Sequence, residues 1–144
     1  MRALMLAALA ALTVATGALA ADKSHRLVLQ VSSADPAVMN LALNNVVNVA
    51  QAYTAKGESI EIEIVAYGPG LTMLRDDTSP VKARLKSIHD SIPGVVFSAC
   101  EVTRANASKA EGKDVKIVAE SRSVPAGVVR LMELQEQGWS YAKP

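Results

Sequence analysis

Val95-Val96-Phe97-Ser98-Ala99-Cys100 is the stretch that most constrains how this chain can fold. Led in by Pro93-Gly94, it opens on an apolar run with no polar alternation. Such a run suits a strand covered on both faces, as in a parallel sheet between helix layers. Ser98, Ala99 and Cys100 are small enough for a ligand or another backbone to approach. Thr103 then caps a short helix expected over Arg104 to Glu111 and closed by Gly112. The single cysteine therefore falls where a strand gives way to a helix start, the edge at which open α/β sheets bind ligands. A lone cysteine also fills core space in many proteins, and position alone does not separate the two readings.

The rest of the chain alternates strand and helix signals. His25 to Val31 reads as the first strand, ending in the polar turn Ser32-Ser33-Ala34. Asp35 caps a helix with Pro36 at its first position, running to about Lys56, with Val38, Ala42, Val46, Val49 and Tyr53 as its inner stripe. Asn40, Asn44, Asn45 and Asn48 are unusual on one helix. They form a solvated face, or Asn44 or Asn45 bonds to a neighbouring loop or subunit. In the second strand, Ile60 to Ala66, Glu61 and Glu63 alternate with Ile60, Ile62 and Ile64. A strand face with two carboxylates reads as a solvated sheet edge rather than a catalytic pair.

Tyr67-Gly68-Pro69-Gly70 is a tight turn where backbone can approach a ligand, but its spacing matches neither a dinucleotide fingerprint nor a phosphate loop. Leu71 to Leu74 is expected as a short helix. Ser79 caps the next one, with Val81, Leu85 and Ile88 inward and Lys82, Arg84 and Lys86 outward. Val115 to Ala119 is the expected fourth strand. The last helix runs from about Val124-Pro125-Ala126-Gly127 to Gln137, with Val128, Leu131, Met132 and Gln135 inward. Gly127 near its start leaves N–H groups bare for an anion, or permits close helix–strand packing. Trp139 to Ala142 reads as a short final strand.

This alternation predicts an α/β fold with a mostly parallel sheet and right-handed crossovers. The expected form is a flavodoxin-like three-layer sandwich of strand order 2-1-3-4 with the final strand added. Such a sheet gathers Ser32 and Ser33, the turn Tyr67, Gly68 and Gly70, then Cys100 and Thr103, and the helix start Pro125 and Gly127 along one rim. With Asn44, these are the candidate site residues.

Residues 1–20 read as a cleaved secretory signal peptide, with Arg2 in the positive region, Leu4 to Val14 as the apolar region, and cleavage expected after Ala20. That predicts a periplasmic or otherwise exported protein without a membrane anchor. One domain, residues 21–144, remains. The chain has 15 Lys and Arg against 14 Asp and Glu, and the loss of Arg2 balances them. Balanced charge and only 3% aromatic residues argue against a nucleic-acid surface or a polybasic membrane patch. One cysteine cannot form an internal disulfide. The only histidines, His25 and His89, have no zinc-site spacing, and no Gly-x-Ser-x-Gly elbow is present. No metal or cofactor is expected.

Five segments, Asn40 to Asn45, Val65 to Gly70, Phe97 to Cys100, Val124 to Val129, and Gln137 to Tyr141 with Pro144, resemble the exported branch of the DsrE/DsrF-like family over essentially the whole mature chain. The resemblance implies a flavodoxin-like fold and a homo-oligomer, a trimer or hexamer. It also implies that Cys100 carries sulfur as a persulfide between donor and acceptor proteins. The chain departs from the family where relatives follow the cysteine with a small residue, asparagine and threonine. Here Glu101, Val102 and Thr103 follow. A carboxylate beside the thiol disfavours the thiolate, whereas a helix start favours it. The alternative is a non-enzymatic ligand-binding or scaffold oligomer using the same rim.

Overall fold

A computed structural model describes residues 24–144; the expected signal peptide lies outside the described residues. In chain order the elements are β1 (Ser24–Val31), α1 (Pro36–Thr54), β2 (Ser59–Ala66), a 3-10 turn (Gly68–Leu74), α2 (Lys82–Ser91), β3 (Val95–Cys100), α3 (Glu101–Glu111), β4 (Ser121–Val124), α4 (Gly127–Glu136) and β5 (Ser140–Ala142). All strand pairings are parallel, and helices flank a five-stranded sheet of order β4-β3-β2-β1-β5, a flavodoxin-like α/β sandwich.

The expected order 2-1-3-4 is corrected: β2 lies between β1 and β3, not at the edge. The misleading residue is Glu63. Only 1% of it is exposed, because it meets guanidinium groups from Arg122 and Arg130, 59 and 67 residues further on. Strand alternation reports a charge on a face but cannot report a distant partner that lets the charge be buried. Glu61, at the open end of the same strand, is exposed as expected.

The two sheet faces differ in how much they bury. The larger core takes Leu29 and Val31 of β1, Ile62 and Ile64 of β2 and Phe97 of β3. Against them pack Met39, Leu43 and Val46 of α1, the 3-10 turn and Leu85 of α2. The other face has a small core of Val28, Val65, Leu131 and Leu134, flanked by Tyr67 and Trp139, under α4 alone. Glu63, Ser98 and Cys100 alternate onto this second face, because Ile62, Ile64, Phe97 and Ala99 between and beside them belong to the larger core.

Several boundaries also move. The fourth strand is Ser121–Val124, not the apolar stretch at Val115. Val115 and Val118 are buried without joining the sheet, and Ile117 makes only an isolated antiparallel bridge to Arg75. Apolar composition there reflects burial rather than pairing. The expected cap of α2, Ser79, lies outside the helix, where its hydroxyl donates to the Met73 carbonyl and accepts from Val81 N–H. In α1 the buried stripe is Met39, Ala42, Leu43, Val46 and Ala50, rotated from the one expected. In α4, Val128 and Met132 are exposed. Its inner row is Gly127, Arg130, Leu131 and Leu134, an i, i+3, i+4, i+7 stripe with an arginine in it. Reading only apolar residues misses that stripe by one position.

Candidate functional site

Cys100 ends β3 and is the residue from which α3 starts; only 5% of it is exposed. Thr103 is therefore not the helix cap expected from sequence but lies within the first turn of α3. Its hydroxyl accepts from Gly68 N–H at 3.0 Å. That occupies an acceptor site and leaves the single hydroxyl proton uncommitted. Burial pushes the Cys100 thiol pKa up, but hydrogen bonds from the Thr103 hydroxyl and from the backbone N–H groups of Thr103, Gly127 and Val102 outweigh it, and the net shift is downward. Two helix starts lie at Cys100: α3 begins directly after it, and α4 begins three residues after Val124, its partner in β4. Their dipoles favour the anion as well.

Glu101 is less unfavourable to the thiolate than the sequence suggests. Its carboxylate accepts a two-pronged bond from Arg104 at 2.7 and 2.9 Å and a bond from Ser123. Its charge is thus matched by Arg104.

Gly127 approaches because it has no side chain. A Cβ there would lie 2.9 Å from Tyr67 Cβ and 3.0 Å from its ring. Tyr67 is held in turn by Gln30, whose amide donates to the phenol oxygen at 2.5 Å, while the Tyr141 hydroxyl donates to the Gln30 carbonyl oxygen. Burial and the neighbouring Tyr141 raise the Tyr67 pKa, so it stays a neutral phenol. Gly70 is required for a different reason: a Cβ there would lie 2.1 Å from the Val31 carbonyl oxygen, so only glycine lets the 3-10 turn pass the end of β1. The expected rim thus assembles around Tyr67, Gly68, Gly70, Cys100, Thr103 and Gly127. Pro125 is exposed just before α4.

The remaining expected site residues serve local structure. Ser32 accepts a 3.4 Å bond from Gln30, and the Ser33 hydroxyl accepts from Asp35 N–H. Asn44 is exposed and accepts from Arg84 at 2.9 Å, tying α1 to α2. It thus bonds to a neighbouring helix rather than to the rim.

The sequence reading missed a cluster below the thiol. Glu63 accepts from Ser98 at 2.7 Å, from Arg122 at 3.0 Å and from Arg130 at 2.9 and 2.8 Å. The one sequence signal was Arg130, which falls on the helical stripe of Gly127, Leu131 and Leu134. A separate groove of about 680 Å3 lies between α1 and α2, lined by Val47, Ala50, Ile88 and Ile92 and reaching Pro93, at the other end of β3 from Cys100.

No family model and no curated protein matches the sequence. Among solved structures, the chain is similar to MTH1491, a protein of unknown function from Methanobacterium thermoautotrophicum, at 30% identity and a TM-score of 0.68. The match covers 83% of this chain and 99% of that one. At that identity and coverage, the chain belongs to the same family as the archaeal protein.

Proposed function

We propose that this protein is an exported sulfur carrier of the DsrE/DsrF-like kind, with Cys100 as the residue that holds the sulfur. The observation that carries the reading is the place of the thiol: Cys100 ends β3 and starts α3, and it pairs with Val124, three residues before Gly127 starts α4, so two helix starts flank it. The downward shift of the thiol pKa favours a nucleophilic thiolate, and the same surroundings suit the anion of a persulfide. In the loading step the Cys100 thiolate attacks the outer sulfur of a donor persulfide, R–S–SH. The donor S–S bond breaks, a Cys100 S–S bond forms, and the electron pair leaves on R–S⁻. Nothing is oxidised overall, so no cofactor takes part, and transfer to an acceptor thiol is the same exchange in reverse. Donor and acceptor proteins are the partners this chemistry requires.

The test is the rate of Cys100 alkylation against pH in the native mature protein, followed by mass spectrometry after polysulfide treatment. The expected result is a labelling midpoint below that of an ordinary thiol, and a mass gain of one sulfur that is absent in Cys100→Ser. Labelling only after unfolding would overturn the carrier, and the rim would then be a non-enzymatic binding surface or scaffold.

A further inference from the structure

We propose that Glu63 is a positioning residue, a buried clamp that joins β3 to α4 and thereby fixes where the start of α4 lies beside Cys100. The inference rests on the thiolate reading of Cys100 and adds a residue that neither touches the sulfur nor lines the rim.

A carboxylate buried on a central strand is costly unless several donors meet it. Glu63 has them, and their positions matter. Ser98 lies two residues before Cys100 on the same face of β3, and Arg122 lies two residues before Val124, which pairs with Cys100. Arg130 lies one turn after Gly127 in α4 and grips the carboxylate with two parallel bonds. One side chain thus holds the strand that carries the thiol and the helix start that follows its partner in β4. The apolar grip on α4 is thin, with Leu131 and Leu134 its buried leucines over Val28 and Val65. Two leucines set how deeply the helix sits better than how far it slides or rolls. A buried ion pair contributes little net stability, and its best-attested use is to fix register. The charged groups around the carboxylate are Arg122 from β4 and Arg130 from α4, with Glu133 3.6 Å from Arg130 on its outer side.

The clamp and a simple charge effect predict opposite signs. Glu63→Gln removes a negative charge from the thiol's surroundings, which by field alone would make the thiolate easier to form. If Glu63 acts through position, the same change lets Gly127 drift and makes the thiolate harder to form. The experiment compares wild type, Glu63→Gln, Arg130→Lys and the exposed control Glu61→Gln. It reads the pH profile of Cys100 alkylation by iodoacetamide and amide hydrogen exchange over 127–131. Arg130→Lys keeps the charge and loses the fork, so it decides the matter if Glu63→Gln fails to fold. Expected for both variants are faster exchange in the first turn of α4, a profile moved to higher pH, and alkylation roughly three- to tenfold slower at neutral pH, with Glu61→Gln unchanged. Unchanged exchange with unchanged or faster alkylation overturns the clamp. If wild-type Cys100 proves unreactive, the carrier reading fails separately, and the exchange data alone decide whether Glu63 holds α4.

Discussion

The Thr103 hydroxyl has one proton, and Gly68 N–H occupies an acceptor site on its oxygen at 3.0 Å. The proton is therefore free, and the hydroxyl helps to lower the Cys100 pKa. This arrangement ties the Tyr67–Gly70 turn directly to the chemistry of the thiol. Thr103→Val removes the donor to sulfur and leaves Gly68 N–H without its partner. Alkylation of Cys100 at neutral pH should slow by about tenfold, and unfolding in denaturant should show a loss of about 1–2 kcal/mol. Thr103→Ser should retain both. A valine variant that labels at the wild-type rate would show that the hydroxyl does not serve the sulfur.

At the scale of elements, α4 is held over the second sheet face partly by charge, and that makes it sensitive to acid. Burial raises the Glu63 pKa, but Arg130, Ser98 and Arg122 together hold it below its ordinary value of 4.5. A carboxyl with a lowered folded pKa stabilises the fold above its unfolded pKa, and that contribution is lost as pH falls through the folded value. Unfolding free energy should therefore decline below about pH 4.5. In Glu63→Gln this part of the decline should be absent. At neutral pH the substitution should cost about 2–3 kcal/mol, less than breaking a fully buried pair because Arg122 is half exposed. Parallel acid profiles for the two proteins would mean that Glu63 titrates no differently folded than unfolded.

At the scale of the whole molecule, the outer side of α4 leaves Val128, Val129 and Met132 about half exposed, and Tyr141 is exposed on the edge strand β5. These side chains suit burial against other subunits, in keeping with the proposed homo-oligomer. Light scattering of the mature protein should give three or six protomer masses, with Met132→Glu shifted toward a single one. A wild-type monomer at micromolar concentration would contradict that assembly. The α/β class, the parallel sheet, the placement of Cys100 and the tight turn at Tyr67–Gly70 were all legible in the sequence. They follow from local runs, caps and turn residues, whose physics acts within a few positions. The strand order, the true inner stripe of α4 and the burial of Glu63 were not, because each depends on partners far apart in the chain. A glutamate among isoleucines is a solvated edge or a buried clamp according to whether arginines 59 and 67 residues away arrive beside it. Only the folded sheet brings them there.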